Sequence, residues 1–290
     1  METLILDGRK ASEEIRAKLV EEVKKLEEKG KVPKLVFVTV GEDPASKSYV
    51  KAKERAGSKI GILTENIEFP RDISTQELVE KIDELNQRDD VDGIVVQLPL
   101  PKSIDKERVL KTIYIDKDVD CLNPLNLGYL MIAEPSFYPN TPMGIIELLS
   151  FYNIKIEGSY VVILGRGKTV GLPLANILLK KHRYGNATVT VCHTKTRDIK
   201  SVSRNADILI AAMGSPEFIK EDFIKEGCVV VDAGINSVEG KIVGDVDKNS
   251  VMGKAGALSP VPGGVGPMTV TMLLKNVIEA AKRNVAFKDV

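Results

Sequence analysis

The 290-residue sequence has no tryptophan, only two histidines and only three cysteines. Cys121, Cys192 and Cys228 are too few and too scattered for a disulfide framework. Together with His182 and His193 they form no CxxC or HExxH spacing, so no metal site is expected. An excess of charge is missing too, because Lys plus Arg and Asp plus Glu each total 41. That balance argues against nucleic acid as a partner and against a polybasic membrane binder. No apolar run approaches the roughly 18 residues that cross a bilayer. The opening METLILDGRKASEE turns to charge after a short apolar start, unlike a secretion signal or an Arg-rich transit peptide. A reducing, cytoplasmic home is the expectation.

What is present is a globular composition, 43% hydrophobic and 28% charged. At about 150 residues per domain, the length suggests two domains. The first half alternates between two periods. A helical stripe over 9–29 ends at Gly30, and KLVFVTVG (34–41) reads as a buried strand. A helix over 45–57, a strand over 62–69, a helix capped by Ser74 and Glu77, and a strand GIVVQL (93–98) follow. Helices between apolar strands predict a parallel sheet. After the segment 135–142 a second alternating set begins, with helix 143–152, strand 160–164, helix 172–181 and strands 187–192, 207–212 and 228–232. The loop SPVPGGVGP (259–267) precedes a last apolar-faced helix.

The strand YVVIL runs into Gly165-Arg166-Gly167-Lys168-Thr169-Val170-Gly171 and then an apolar helix. Glycines at a strand end allow a tight turn and let backbone N–H groups approach a pyrophosphate at a helix N-terminus. The spacing is one residue longer than the usual fingerprint, and alone it fits an ordinary turn equally well. The following strand ends in His193-Thr194-Lys195-Thr196-Arg197, where an NAD-preferring site usually places an acid. Cations and hydroxyls there favour a 2′-phosphate, which predicts NADP, with NAD as the second choice. The fold class expected is therefore α/β: an N-terminal α/β domain with a parallel sheet and a Rossmann-type dinucleotide-binding domain, joined across a cleft. The boundaries expected are 1–140 plus the C-terminal helix 267–290 for the first, and 141–266 for the second.

Ser46–Lys53 lies on the helix after the first long strand, with Tyr49 and Lys53 at i and i+4 on one face. A partly desolvated lysine, or one crowded by cations, can serve as a neutral base. The bland alternative is a Lys-rich surface helix. A short-chain dehydrogenase is excluded by order, since its YxxxK pair follows the nucleotide glycines and this one precedes them. Gln97 sits at the carboxyl end of a buried strand, where parallel sheets collect ligands. The loop Asp116-Lys117-Asp118-Val119-Asp120 carries three acids, either solvated charge or a cation site, without the glycine of a calcium loop.

The stretches DPASKSYVKAK, VDGIVVQLPLP, DKDVD, NTPMG, GRGKTVGLP, ATVTVCHTKT and SPVPGGVGPMT, in this order, resemble the bifunctional methylenetetrahydrofolate dehydrogenase/methenyltetrahydrofolate cyclohydrolase family from about residue 3 to 285. The resemblance implies oxidation of 5,10-methylenetetrahydrofolate by hydride transfer to NAD(P)+, then hydrolysis of the methenyl product to 10-formyltetrahydrofolate. It implies that Lys53 is catalytic, that Tyr49 stacks on or bonds near the folate ring, that Gln97 bonds Lys53 and sets its protonation, and that Asp120 anchors the pterin edge. It places Pro262, Gly263 and Gly264 beside the substrate and Gly165–Gly171, His193, Thr194 and Ile235 beside the cofactor. Tetrahydrofolate one-carbon derivatives are the implied partners and a homodimer the implied assembly. A monofunctional dehydrogenase, a dehydrogenase of a small acid and a non-catalytic binding module are the alternatives. Four positions depart from the common pattern: Cys121 for Gly, Gly167 for Ser, Thr194 for Ser, and Ser259 for Thr.

Overall fold

The computed structural model describes residues 2–132 and 134–288. In chain order the elements are β1 (Leu4–Ile5), α1 (Gly8–Glu27), β2 (Lys34–Val40), α2 (Pro44–Ser58), β3 (Leu63–Phe69), α3 (Thr75–Asn86), β4 (Gly93–Val96), α4 (Lys106–Thr112), α5 (Pro124–Ile132) and α6 (Asn140–Phe151). The second half holds β5 (Tyr160–Leu164), α7 (Gly171–Leu179), β6 (Thr188–Cys192), α8 (Ile199–Ser203), β7 (Ile208–Ala211), β8 (Val229–Asp232), β9 (Asn236–Val238), β10 (Lys241–Val243), α9 (Lys248–Val251), β11 (Ala257–Leu258) and α10 (Val265–Lys288).

The chain divides into two compact units. One holds Glu14–Tyr138 and the helix from Val270 onward; the other holds the residues before Glu14 and Pro139–Thr269. The first unit contains a parallel three-stranded sheet in the order β3-β2-β4. β2 is central and its five inner residues are buried, which is why KLVFVTV reads as a continuous apolar run rather than an alternating one. α2 starts at Asp43, whose carboxylate accepts from Ser46 N at 2.8 Å, with Pro44 in the first turn. The capping box expected at Ser74 and Glu77 is present. Leu273, Leu274, Val277, Ile278 and Ala281 of α10 join Leu19, Val23, Leu35 and Phe37 in the core.

The second unit contains a parallel six-stranded sheet, β1-β11-β8-β7-β5-β6. β9 and β10 form a separate antiparallel hairpin, turning through Glu239 and Gly240, both at positive φ. In each sheet the first long strand has its successors on both sides: β2 lies between β3 and β4, β5 between β6 and β7. Such reversal points open a crevice at the carboxyl ends of the strands.

The domain boundaries differ from the sequence expectation at the amino terminus. Residues before Glu14, expected in the first domain, belong to the six-stranded unit. The reason is pairing: Leu4 and Ile5 ladder with Ala257 and Leu258, and Thr3 Oγ1 donates to Ala255 O at 2.8 Å. A two-residue strand leaves no periodic signal. The boundary near residue 140 coincides with Pro139, and the C-terminal helix joins the three-stranded unit from Val270 rather than from 267.

Candidate active site

In the three-stranded unit, the sheet edge presents the end of β2 and the end of β4. Gly41 turns the chain at φ +78°, Asp43 starts α2, and two turns later Tyr49 and Lys53 share a face. Tyr49 is exposed, leaving its ring free for a ligand. Lys53 is half-buried; its Nζ donates to Gln97 Oε1 at 3.2 Å and lies 5.8 Å from the ring centre of the fully buried Phe37. The orientation of the glutamine is not free. Its Nε2 donates to Leu98 O at 2.8 Å, so the oxygen must be the end that faces the amine. Gln97 N in turn continues the ladder by donating to Val38 O at 2.9 Å. The structure thus brings Lys53 and Gln97 into contact, on an aromatic wall that sequence reasoning did not single out.

Asp120 sits on a separate loop, after the backbone of Lys117 has accepted from Ile94 N at 2.8 Å beside β4. It is half-buried between Val119 and Cys121, both completely buried. Those two residues belong to the same core cluster as Phe37 and Val50, so the Asp120 loop and the Lys53 helix rest on one packed base. Cys121 adopts φ +56°, a left-handed conformation that glycine takes at no cost. Its Sγ donates to Phe137 O at 3.0 Å, and burial pushes its thiol far up from the ordinary value. A buried, inert thiol in a glycine-type conformation accounts for the departure from the common pattern here.

Asp118 is the acid whose setting the sequence hid. Read from the sequence as either solvated charge or part of a cation site, it is completely buried and receives bonds from Leu122 N, Asn123 N and Asn126 Nδ2. Burial pushes its carboxyl up to about 7, against the pull of those donors. A groove of about 770 Å³ opens at the same sheet edge, lined by residues such as Gly41, Asp43, Arg71, Pro99 and Leu100. Tyr49, Lys53, Gln97 and Asp120 are not among its walls, so the groove neighbours these four residues rather than containing them.

In the six-stranded unit, β5 is followed directly by Gly165, with φ +120°. A Cβ there would lie 2.0 Å from Ala212 O, and one at Gly171 would lie 2.1 Å from Gly165 O. Both glycines are required by close backbone approach. Gly167 is different: a Cβ would meet nothing within 4 Å. Serine, common at this position in the family, would therefore fit. Arg166, Gly167, Lys168 and Thr169 are exposed. Val170 precedes α7 and supplies no side-chain cap; Leu172 N donates to Gly167 O at 3.1 Å and Pro173 carries no N–H, so Gly171 N is the first-turn group placed for an anion. These residues fit a dinucleotide pyrophosphate.

After β6, His193 to Thr196 close a tight turn through Thr196 N donating to His193 O (2.8 Å) and His193 N to Thr196 Oγ1 (2.9 Å). His193 Nδ1 accepts from Lys195 N at 3.1 Å, so its remaining ring proton belongs on Nε2. Thr194, Lys195 and Arg197 are left exposed. Ile235 is exposed just beyond β8. Its position is set by two carboxylates that sequence reasoning missed. Asp232 accepts from the N–H groups of Gly234, Asp245 and Val246 at 2.9–3.0 Å. Asp245 accepts from Met213, Gly214 and Ser215 N and from Asn236 Nδ2. Burial raises the Asp232 carboxyl to about 6. Their only sequence signal was an acid within two residues of a glycine, in VDAG and GDV.

The glycine-rich loop after β11 is held at its own unit's amino end. Gly263 O accepts from Gly8 N at 2.9 Å and Arg9 N at 3.2 Å, and a Cβ on Gly8 would lie 1.8 Å from Gly264 O. Gly264 is buried by this packing, whereas Pro262 is exposed. Ser259 Oγ accepts from Asp232 N at 2.8 Å, a bond that needs a hydroxyl and that threonine would also supply.

Fold and site define an α/β enzyme with a dinucleotide turn in one unit and a lysine–glutamine pair in the other. Residues 6–120 match the catalytic domain, and residues 139–285 the NAD(P)-binding domain, of tetrahydrofolate dehydrogenase/cyclohydrolase. The chain belongs to that family. It is 49% identical over 284 residues to a bifunctional FolD protein of Bacillus cytotoxicus, covering 98% of each chain. Among solved structures it is similar to the bifunctional enzyme FolD of Campylobacter jejuni (44% identity, TM-score 0.93, covering 97% of this chain and 99% of that one). It is also similar to a Trypanosoma brucei FolD determined with NADP cofactor and inhibitor (38% identity, TM-score 0.92, covering 98% and 99%).

The glycine geometry separates two substitutions. Gly165→Ala is expected to lose roughly 2–4 kcal/mol of stability, because strand ends must part to admit the methyl. Gly167→Ser is expected to leave the thermal midpoint unchanged. Melting curves of the two variants beside the parent check this.

Proposed function

We propose that Lys53, held by Gln97, is the general base for hydrolysis of 5,10-methenyltetrahydrofolate to the 10-formyl compound, in the same site that oxidises 5,10-methylenetetrahydrofolate. The observation that carries the assignment is the Lys53–Gln97 hydrogen bond, with the amide oriented by Leu98 O. An acceptor on one side and the Phe37 ring on another restrict where Nζ can point.

The methenyl compound is a cation, so a charged amine beside it is repelled and a neutral one is tolerated. Neutral Lys53 takes a proton from water as the water oxygen bonds to the methenyl carbon. Return of that proton to N5 as the carbon–N5 bond breaks, with the remaining hydroxyl proton released to solvent as the C=O forms, leaves the formyl group on N10. The Lys53 ammonium formed is held by the Gln97 oxygen. Oxidation demands less of a base, because what leaves the methylene carbon is a hydride, for which bound NADP+ would supply the acceptor; there, positioning of the methylene carbon dominates. Tyr49 offers its exposed ring to the pterin and Asp120 its carboxylate to the pterin's polar edge. Pro262, with Gly263 and Gly264 behind it, borders the folate.

For the cofactor, the start of α7 and the Gly165–Gly171 turn would hold the pyrophosphate. Arg166, Thr194, Lys195 and Arg197 would take the 2′-phosphate, His193 would stand beside the ribose, and Ile235 would supply an apolar contact. NADP is therefore preferred over NAD. The assembly we propose is a homodimer, with β6, the open edge of the six-stranded sheet, available to pair with a second copy. The three cysteines are buried and unpaired, which supports a reducing, cytoplasmic location.

Supplying methylenetetrahydrofolate with either dinucleotide, and quantifying reduced cofactor, methenyl and formyl products separately, tests the main reading. In Lys53→Met, formyl production is expected to fall about a thousand-fold, the scale of a lost general base, while methenyl product still forms. Equal loss of both with folate binding intact would make the lysine purely positional. Arg166→Ala is expected to raise the KM for NADP+ about ten-fold, as loss of a charge-assisted phosphate contact would, and to leave that for NAD+ unchanged. An NAD+ preference in the parent enzyme would sink this assignment. Sedimentation should give twice the chain mass, and a charge placed on β6 by Thr190→Lys should halve it.

A further inference from the structure

We propose that Asp118 is a positioning residue for folate, its buried carboxylate holding the loop that presents Asp120. The proposal rests on the reading of Asp120 as the pterin anchor, and the test separates the two.

Asp118 is 1% exposed, and all of its side-chain partners are donors: Leu122 N at 3.1 Å, Asn123 N at 2.9 Å and Asn126 Nδ2 at 2.8 Å. The two backbone donors stand on the far side of Asp120, so the carboxylate bridges across it. The same loop is closed a second time by Cys121 N donating to Asp118 O at 2.9 Å. Asn123 and Asn126 carry the tie further, donating to Ile113 O at 2.8 Å and to Ile115 O at 3.3 Å, beyond the end of α4. On either side of Asp120 the chain is fixed. Val119 O accepts from Asn276 Nδ2 of α10 at 3.0 Å, and Cys121 Sγ donates to Phe137 O. Asp120 alone of these three is not fully buried, so the direction of its carboxylate follows from how the loop is held.

Stability does not explain the choice of residue. A buried carboxylate must recover its desolvation cost in donors, and an apolar side chain of similar volume would avoid that cost. The charge of Asp120 adds repulsion. Asn126 bears a cost as well: giving its Nδ2 to Asp118 leaves its Oδ1 buried without a hydrogen-bond partner among the described residues. Such local costs are the mark of a loop held for what it displays.

Asp118→Asn keeps the shape but turns an amide N–H₂ toward groups that are themselves donors. The experiment measures kcat and the KM values for methylenetetrahydrofolate and NADP+ in Asp118→Asn, Asp120→Ala and the double variant. Asn126→Leu, which removes one donor, is the milder partner should Asp118→Asn not fold. The expected result is a rise of about ten-fold in the folate KM for Asp118→Asn, a smaller rise for Asn126→Leu, and an NADP+ KM within about two-fold of the parent. In the Asp120→Ala background either substitution should add less than about two-fold, since residues acting through one group are not additive. A full, multiplicative effect in that background overturns the proposal, as does an unchanged folate KM in both loop variants with Asp120 present. If Asp120→Ala alone leaves the folate KM unchanged, the reading of Asp120 falls first and takes this proposal with it.

Discussion

An amine on a surface helix is ordinarily a solvated charge; what distinguishes Lys53 is that Gln97 has only one way to face it. The amide nitrogen is committed to Leu98 O, so the oxygen is committed to Nζ. That commitment depends on β4 ending one residue earlier, with Gln97 N still donating to Val38 O on β2. The order β3-β2-β4 puts the ends of β2 and β4 side by side, and α2 springs from the end of β2. Sheet topology, helix start and amide orientation thus converge on one nitrogen atom. Phe37, in the middle of β2, sets its ring centre 5.8 Å from that nitrogen.

The six-stranded unit solves a different problem with backbone alone. A dinucleotide pyrophosphate needs N–H donors with no side chains in the way. Gly165 and Gly171 provide that by approaching Ala212 and each other more closely than any Cβ permits. Around them, Asp232 and Asp245 gather seven donors, six of them backbone N–H groups, and so fix the loops that follow β7 and β8. These two acids are spent on building the edge, and the cations Lys195 and Arg197 after β6 stay exposed.

Much of this was legible before any coordinates. Unbroken apolar runs such as KLVFVTV and YVVIL gave the central strands, Ser74 with Glu77 gave a helix start, and the glycine spacing after β5 gave the nucleotide turn. Tyr49 and Lys53 fell on one face because a helix has a fixed period. Less was legible where partners are distant in the chain. β1 is a strand only because residues more than 250 positions away complete its ladder. The hairpin of β9 and β10 was missed because its strands are three residues each and carry little apolar pattern. Gly167 read as a member of the glycine fingerprint, yet it is the one of the three with room for a side chain.

The sequence by itself determined which residue types stand at which period, and that was enough to set the fold class, the nucleotide turn and the family. Tertiary structure alone decided the state of the acids. Asp116, Asp118 and Asp120 are spaced alike and look alike in the chain, but one is exposed, one is buried under three donors and one stands half-covered between them. Burial and hydrogen bonding come from neighbours that only folding assembles, and they, rather than residue type, govern what a carboxylate does.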